Sequence, residues 1–586
     1  MTLLTKRQKL AVLMSVFVLV HNIRARVAHE IDSLEPNLYR YEFTYYPQLP
    51  VKVSWDIDDL NFAIYFRIQV EMELDDVIGI GFSNYGDIKN ADLALFWFDS
   101  DTGPHLQDMY TNEEEIIQPD EQQDYKLTTV DVKRDKVIIE FERSYETDDV
   151  NDYSIDRGTT HVIAFLERTS RMMENGMKLK QEDIKLNRVQ LLKSQLPEPK
   201  LPSDVQVLHV HVNQVEVPLD ETTYWCSLQQ LPHFKSKLHI IRFEGAINEE
   251  TQGIVHHLEV FHCQVEAHVI LPPYDAPCSS KSERPLGLES CTKVLGAWAM
   301  GAKGISYPDE AGVPIGGKTF SRYIMLEIHY NNPRHMSGLI DNSGITFFIT
   351  DKLRKYDAGV MEIGLEYTDK MALPPGLKEW KLNGYCVSRC TKIALPNKGI
   401  YVFASQLHAH LTGMKIYTKH YRDGVELPEL NRDNHYSPHF QEIRRLHRVV
   451  RLMPGDEIVN TCVDQTSERK NVTLGGFSIY DEMCVNYIHY YPITDLEVCK
   501  SSIATEYLYE IFSFFKWIYN EPIDISKGIS YNYQIISWNN EKIHDLKAFY
   551  DSSPLSVQCN RSDGERFPGT WEPYPIPMKV NKMRQK

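Results

Sequence analysis

The ten cysteines of this chain are confined to its later part, and none precedes Cys226. An even number of cysteines, a secretory N-terminus and the absence of CxxC pairs together favour disulfides over a structural zinc site. Disulfides limit which segments can lie apart in the folded chain. We therefore expect five disulfides in the later part, and an N-terminal part that folds without any.

The N-terminus has the pattern of a secretory signal. A basic start with Lys6, Arg7 and Lys9 precedes the apolar run Leu10 to Val20, which is too short to span a bilayer comfortably. We expect residues 1–28 to be a signal peptide or an uncleaved signal anchor, and the protein to reach a secretory vesicle or the extracellular space, held at a membrane if the anchor stays. The net charge of −18 argues against nucleic acid and anionic membrane surfaces as partners.

Short apolar runs separated by turns indicate a mainly β protein. Residues 40 to 165 fit a β-sandwich, with runs such as VKVSWDI, VIGIGFS and KVIIEFE. A polar segment with LPEPKLPSD at 196–204 follows as a hinge. Strand patterns resume from about 205 to 500, and the long apolar pattern from Ile503 to Tyr519 predicts a helix.

Two histidine pairs are candidate metal ligands. His408 and His410 in QLHAHL are two residues apart, so in a strand they project from one face and can reach one ion. The adjacent His256 and His257 should point to opposite faces, one buried and one exposed, unless the strand bulges or ends there. A further pattern of this kind, HVH at 209–211, is more typical of ordinary strand residues.

His329 in LEIHYNNP and Met483, beside Cys484, are each more often core residues than ligands when taken alone. Together with the two pairs they make a set of three imidazoles and a set of two imidazoles with a thioether. A thioether suits copper, above all Cu(I), whereas three imidazoles accommodate both copper oxidation states. Neither a dinucleotide-binding fingerprint nor a haem attachment motif is found. The pattern indicates redox chemistry at copper, with electrons from a small diffusible reductant.

Long segments resemble one family. HHLEVFHC, LEIHYNNP, HFQEIRRLHR and GGFSIYDEMCVNYIHYYP resemble the copper type II ascorbate-dependent monooxygenases, in the dopamine β-hydroxylase branch and most of all the invertebrate tyramine β-hydroxylases. The resemblance runs from about residue 40 to 575, and GIGFSNYGDIKNADLALFWF is similar to a DOMON domain. It implies a mainly β fold: a DOMON-type β-sandwich, two antiparallel, jelly-roll-like copper domains and a short, partly helical extension. The implied bounds are 40–170 for the DOMON domain, 171–204 for a linker, 205–345 and 346–500 for the copper domains, and 501–586 for the extension.

The resemblance also implies roles for individual residues. It assigns an electron-relay copper to His256, His257 and His329, and an O2-activating copper to His408, His410 and Met483. Two coppers per chain and ascorbate as electron donor follow. Tyr224, otherwise a strand aromatic beside a cysteine, matches a tyrosine that the family counts in its active site, and His408 shares the catalytic role. The implied disulfides are Cys226–Cys278, Cys263–Cys291, Cys386–Cys499, Cys390–Cys559 and Cys462–Cys484. Cysteines that tie the front domain to the tail, or subunit to subunit, in relatives are missing here, which leaves a noncovalent homo-oligomer open.

The activity implied is hydroxylation of the benzylic carbon of a phenethylamine, most of all tyramine to octopamine, with O2 and ascorbate. Dopamine hydroxylation, an orphan monooxygenase X-like activity and a non-enzymatic copper-binding secreted protein are the alternatives. Peptide α-amidating hydroxylases carry Arg where this chain has Gln406, which disfavours a peptide substrate. Glu259 and Glu362 are candidate carboxylates for the amine, and Asn471 and Asn560 are glycosylation acceptors.

Overall fold

The computed structural model describes residues 39–577 except 46–47, 134–135, 267, 279–286, 301 and 319. The residues expected to form the signal, 1–28, lie outside this part. The chain divides into two compact units: the first reaches Asn187 without Asp156–His161, and the second comprises those six residues and everything from Arg188 onward. No helix within the described ranges is long and apolar enough to cross a membrane.

The first unit is a β-sandwich, as predicted. The strand Ala63–Glu71 alternates buried and half-buried positions, because one face of its sheet packs inward, whereas Asp76–Ser83 is buried almost throughout. One sheet has the order β1-β2-β3-β9-β8 and the other β11-β10-β4-β5-β6-β7. The strands are β1 Tyr41–Thr44, β2 Val51–Asp58, β3 Ala63–Glu71, β4 Asp76–Ser83, β5 Asp92–Asp99, β6 Gly103–Thr111, β7 Ile117–Pro119, β8 Lys126–Lys133, β9 Lys136–Ser144, β10 Thr160–Arg168 and β11 Lys185–Val189.

The segment 171–204 differs from the linker that we expected. Its first half contains most of the helix α1, Thr169–Glu174, and the edge strand β11 of the second sheet. Met172, Leu179 and Ile184 are buried in the core of the first unit. These three residues are widely spaced in a polar sequence, so they form no periodic hydrophobic pattern. The polar connection is therefore shorter than expected and begins after β11.

The second unit begins with a sandwich that we call the middle sandwich, residues 206–350. Its larger sheet has the order β12-β23-β15-β20-β24, and its smaller sheet has the order β17-β14-β21-β16-β18. The strands are β12 Gln206–His211, β13 Val215–Glu216, β14 Thr222–Gln230, β15 Lys237–Ala246, β16 Val255–Cys263, β17 Asp275–Pro277, β18 Cys291–Ala299, β19 Ile305–Ser306, β20 Ala311–Gly316, β21 Tyr323–Asn331, β22 Ile340–Asp341, β23 Gly344–Thr350 and, beyond it, β24 Tyr356–Asp357.

A C-terminal sandwich, residues 359–561, follows. Its sheets have the orders β31-β28-β34-β25-β35-β36 and β27-β32-β29-β30. The strands are β25 Gly359–Leu365, β26 Ala372–Leu373, β27 Trp380–Cys386, β28 Ile400–Ala409, β29 Gly413–Arg422, β30 Val425–Asp433, β31 Arg444–Leu452, β32 Glu457–Asp464, β33 Thr473–Leu474, β34 Cys484–Tyr491, β35 Leu496–Ile503 and β36 Leu555–Arg561. Because β36 pairs with β35, the segment predicted as an extension returns to complete this sheet.

Helices occur mainly near the C-terminus. They are α2 Ser388–Ala394, α3 Thr505–Tyr519, α4 Ile529–Ile535 and α5 Asn540–Ser552, with single 3-10 turns at Glu249–Thr251, Leu288–Ser290 and Ile525–Lys527. The helix predicted from Ile503 to Tyr519 is confirmed as α3. Leu508, Ile511, Phe512 and Phe515 form its buried face, at the spacing of an amphipathic helix.

Five disulfides join the pairs that the resemblance implies, and the structure contains no free cysteine among the described residues. They are Cys226–Cys278 and Cys263–Cys291 in the middle sandwich, and Cys386–Cys499, Cys390–Cys559 and Cys462–Cys484 in the C-terminal sandwich. Each disulfide therefore lies within one sandwich.

Candidate metal centre

Three neighbouring strands of the middle sandwich bring the first histidine set together. Tyr224 on β14 lies opposite His329 on β21, and His329 lies opposite His257 on β16. The next row on the same face carries Glu327 opposite Glu259. Because side chains two residues apart share a face, one surface of this sheet presents an aromatic ring, imidazoles and carboxylates side by side.

His256 joins this set because β16 is irregular at that point. Its register against β21 shifts between Val255 and His257, a bulge that breaks the alternation of the strand. The Nδ1 atoms of His256 and His257 are 3.2 Å apart, and those of His257 and His329 are 3.3 Å apart. The bulge that the sequence required for two adjacent ligands is therefore present.

The chemistry of this set fits a metal ion. A metal–nitrogen bond of about 2 Å puts neighbouring ligand atoms about 3 Å apart, close to what these Nδ1 atoms show. Burial, followed by the neighbouring imidazoles, lowers the pKa of His329 to about 3; burial, followed by His439, lowers that of His256 to about 4. Neutral imidazoles are the form that binds a metal. The three Nδ1 atoms converge, and each imidazole is neutral at neutral pH, so each ring keeps one nitrogen lone pair.

The second histidine set lies at the end of β28. Ala409 pairs with Cys484 and His408 with Val485, so the next position along β28, His410, lies beside Met483 on the approach to β34. The imidazole centroids of His408 and His410 are 5.2 Å apart. The spacing of two residues therefore brings both imidazoles to one place, with the methionine adjacent.

Hydrogen bonds fix which nitrogen each of these rings can offer. Nδ1 of His408 is 2.6 Å from Oε1 of Gln441, and Nδ1 of His410 is 3.1 Å from the carbonyl oxygen of Asp481. Both partners are acceptors, so Nδ1 carries the proton and Nε2 keeps its lone pair. This set offers Nε2, whereas the first set offers Nδ1. Burial, followed by His410, lowers the pKa of His408 to about 3.

The two sets come close to each other within the second unit. The ring of His256 lies 6.2 Å from that of His439, which belongs to the C-terminal sandwich. Burial is the main cause that lowers the pKa of His257 well below its usual value, and His408 and His410 contribute to it. Tyr224 stacks on His329 at 4.5 Å, and its hydroxyl donates to the carbonyl of Phe477 at 3.4 Å. The sheet faces that carry the two sets thus oppose each other.

Acidic and aromatic side chains fill the rest of these faces. On the C-terminal sandwich, Glu362 lies opposite Tyr487, and Lys500 donates to its carboxylate. Burial, then the charges of Glu327 and Glu362, raises the pKa of Glu259 to about 8. Glu259 forms no ion pair with the described residues, and therefore a cation that enters the space between the faces would find a carboxylate without a partner there.

Other sequence candidates lie elsewhere or differ in exposure. His209 and His211 are on β12 in the larger sheet of the middle sandwich, and His209 contacts Thr346 across the strands, so they are ordinary strand residues. Asn471 is exposed in a turn, whereas Asn560 lies in β36 with its amide oxygen buried. Gln441, Asp481 and Lys500 were not predicted, because their roles depend on contacts between distant strands; Asp481, directly before Glu482 and Met483, is the one that its neighbourhood could have indicated.

Family models match most of the described chain. The model for the copper type II ascorbate-dependent monooxygenase N-terminal domain matches residues 208–337, that for the C-terminal domain matches 356–512, and a DOMON domain matches 49–166. The two monooxygenase models match most of the middle and C-terminal sandwiches, which carry the two histidine sets.

Curated relatives match over nearly the full length. Dopamine beta-hydroxylase of Homo sapiens is 42% identical over 544 residues, which is 92% of this chain and 87% of that protein. Tyramine beta-hydroxylase of Caenorhabditis briggsae is 39% identical over 531 residues, covering 88% of this chain and 87% of that protein. DBH-like monooxygenase protein 1 of Homo sapiens is 33% identical over 525 residues, covering 86% and 83%.

Proposed function

Because this chain belongs to the copper type II ascorbate-dependent monooxygenases, and is a β-hydroxylating enzyme of that family, we propose which of its residues hold copper and which substrate it takes. His256, His257 and His329 hold the copper that stores an ascorbate electron. His408, His410 and Met483 hold the copper at which O2 reacts. Tyr224 and His408 belong to the active site.

Each part of the copper proposal has its own support. The convergent Nδ1 atoms of the first set and its neutral imidazoles suit an ion that changes oxidation state. The second set adds a buried thioether, since Met483 is 8% exposed. When bound, copper supplies the one-electron chemistry with O2 that no side chain of this protein can supply.

The observation that carries the substrate proposal is the unpaired carboxylate of Glu259 beside the first histidine set. It lies two residues from His257 on the same strand face, a distance of about 7 Å along the strand. A phenethylamine separates its ammonium group from its aromatic ring by two carbons. We therefore assign the ammonium group to Glu259 and the ring to the aromatic surface that includes Tyr487 and Tyr224. The benzylic carbon then faces the second histidine set.

Binding of the ammonium group changes the proton on Glu259. Burial raises the pKa of this carboxyl to about 8 and so favours its neutral form when no cation is nearby. An entering cation stabilises the charged form, so it lowers the pKa of Glu259 and releases a proton. Glu362 is less suited to this role, because Lys500 already neutralises it.

Tyramine is our proposed substrate, with octopamine as product. One oxygen atom of O2 is inserted into a benzylic C–H bond to give the hydroxyl group, the other leaves as water, and two electrons from ascorbate with two protons complete the reduction. Dopamine is the second candidate, since the relatives include proteins named for each reaction. The two amines differ by one ring hydroxyl, and a pocket that merely tolerates this group discriminates by about a hundredfold at most.

A peptide substrate is disfavoured by Gln406. Its amide nitrogen donates to the carbonyl of Gln441 at 2.8 Å, and the residue is 8% exposed. The side chain is therefore engaged inside the C-terminal sandwich and offers no cation for a peptide carboxylate.

We also propose that the protein acts in the secretory pathway, inside a vesicle or after secretion. Five disulfides form and persist in oxidising compartments, and this supports the proposal. Assays should then use copper-loaded protein in which all five disulfides are formed.

Oxygen uptake with ascorbate tests the proposed activity. Tyramine, dopamine and a glycine-extended peptide compete in one reaction with copper-loaded protein, and the products are identified by mass. We expect octopamine as the main product, with slower dopamine turnover. Turnover of the peptide with both amines inert would refute the proposed substrate class.

The Glu259→Gln variant tests the amine contact. Gln keeps the size of Glu but has no charge to pair with ammonium, so the KM for tyramine should rise at least tenfold. The matched control is 4-ethylphenol, which has the ring and benzylic carbon of tyramine without its amine; its KM should change little. An equal change for both compounds would show that Glu259 does not bind the amine.

A further inference from the structure

The strand that carries His410 ends before that residue, and this leaves its backbone without a strand partner. β28 ends at Ala409, and β34 begins at Cys484, which is the partner of Ala409. The N–H groups of His410, Thr412 and Met483 therefore lie beyond the ladder of hydrogen bonds. Buried N–H groups in this position need another acceptor.

One carboxylate accepts all of them. Oε1 of Glu482 accepts from the N–H of His410 and, at 2.8 Å, from the N–H of Met483. Oε2 accepts from the N–H of Thr412 at 2.9 Å and from the Thr412 hydroxyl. Glu482 is fully buried, with 0% of its surface exposed. A single side chain thus joins the end of the histidine strand to the methionine segment.

The charge of Glu482 is balanced by these donors. No ion pair involves Glu482 within the described part of the chain, and four donors converge on its two oxygens. Hydrogen bonds to a carboxylate are shorter and about twice as strong as those between neutral groups. The neighbouring Asp464, also fully buried, has its pKa held well above the usual value by burial and then by the charge of Glu482. The four contacts fix the position of this carboxylate closely.

We infer that Glu482 is a positioning residue that sets the geometry of His410 relative to Met483. This inference rests on the proposed function, which makes those two residues ligands of one copper. Asp481 contributes from the same segment, because its carbonyl lies against Nδ1 of His410. The segment Asp481–Met483 thus holds the ring, the backbone and the sulfur-bearing partner of His410 together.

Glu482→Gln tests the inference with the full-length protein loaded with Cu(I). An amide oxygen can replace Oε1, but the amide nitrogen cannot accept from Thr412, so half of the contacts are lost. Groups that orient metal ligands typically contribute 10- to 100-fold to metal affinity. We expect the affinity of the methionine-containing site for Cu(I) to fall by about that factor, with loss of the Cu(I)–sulfur signal in X-ray absorption. Copper at the three-imidazole site should be retained.

Glu366→Gln is the matched control. Glu366 is a carboxylate of the same sandwich, 5% exposed, that accepts from the Ser502 hydroxyl at 2.9 Å and touches neither ligand segment. This variant should keep the wild-type copper affinity and sulfur signal. Glu482→Asp, which keeps the charge but is one methylene shorter, provides a second test. It should lower kcat and weaken the sulfur signal with little change in the KM for the amine.

The outcomes separate the inference from the function on which it rests. A wild-type protein without a Cu(I)–sulfur signal would overturn the proposed copper site itself. A wild-type signal that persists unchanged in both Glu482 variants would overturn the inference alone. Misfolding of both variants beside a folded Glu366→Gln control would assign Glu482 to general stability, and this too would overturn it.

Discussion

At the scale of the residue, the two histidine sets differ in the nitrogen that they can offer. In the second set, acceptors at Gln441 and Asp481 occupy the Nδ1 atoms of His408 and His410, so Nε2 is left to bind. In the first set, the Nδ1 atoms of His257 and His329 turn towards each other. The hydrogen bond made by one ring nitrogen decides the role of the other. Two chemically different sets of ring nitrogens therefore arise from one residue type.

Met483→Ile should nearly abolish turnover and leave the fold intact. Ile has a volume similar to that of Met, so packing at this 8% exposed position is largely kept, but it provides no sulfur. Activity with tyramine, circular dichroism and the Cu(I)–sulfur signal would be measured on the same samples. A variant with full activity would show that the thioether is not a ligand.

At the scale of the element, β34 depends on a disulfide that lies beside the proposed ligand. Cys462 on β32 is bonded to Cys484, the first residue of β34 and the neighbour of Met483. Another bond, Cys390–Cys559, joins α2 to β36. The cysteines of the Cys462–Cys484 bond are 22 positions apart in the sequence, and those of the Cys390–Cys559 bond are 169 positions apart. The two bonds therefore differ in what they restrain.

Replacement of both cysteines by serine, one pair at a time, should separate activity from stability. Loop-closure entropy predicts the larger loss of stability for Cys390–Cys559, because it closes the longer loop. We expect the larger loss of kcat for Cys462–Cys484, because it restrains the strand next to Met483. Urea denaturation and oxygen uptake would be compared for both variants. If kcat follows stability in the two, the Cys462–Cys484 bond has no special role at the site.

At the scale of the whole molecule, the middle and C-terminal sandwiches meet through buried side chains. Tyr307 of the middle sandwich packs on Phe403 at 5.4 Å and lies 3.4 Å from Nδ1 of His489. The hydroxyl of Tyr491 donates to Glu310 at 2.6 Å. These contacts join the two sandwiches that carry the histidine sets, so a change at this interface should affect the whole second unit.

Acid should weaken this unit when copper is absent. Burial lowers the pKa of His489 to about 4, against about 6.5 in an unfolded chain. Between pH 6.5 and pH 4 the unfolded chain binds a proton at His489 that the folded chain does not bind. The free energy of unfolding therefore falls as the pH falls through this range. The slope is about 1.4 kcal/mol per pH unit for one proton fully taken up.

The His489→Gln variant isolates this contribution. It removes one titrating group, so its urea midpoint should fall less between pH 7 and pH 5 than that of the wild type. Other buried histidines, such as His262 with a pKa lowered to about 4, still titrate in the variant. The variant should therefore keep part of the pH dependence, and the difference from the wild type measures the contribution of His489. Identical pH dependence for the two proteins would contradict the assignment.

Local patterns in the sequence were sufficient for much of the fold and part of the site. Short apolar runs separated by turns predicted the front sandwich, and the long apolar pattern from Ile503 to Tyr519 predicted α3, because both signals depend only on residues that are near in the sequence. The spacing of His408 and His410 predicted their convergence for the same reason. The strand β11 was missed, since its burial depends on a sheet assembled from distant segments.

By itself, the sequence determined the kinds of ligand, because imidazoles and a thioether have fixed chemical preferences wherever they lie. Only the tertiary structure decided how they meet. It places a bulge at His256, opposes two sheet faces, and brings Glu482, Gln441 and Asp481 to the histidines. These contacts join residues that are distant in the sequence, 72 positions apart for His410 and Glu482 and 253 for Tyr224 and Phe477. Such contacts arise from packing of whole sheets, which no local pattern encodes.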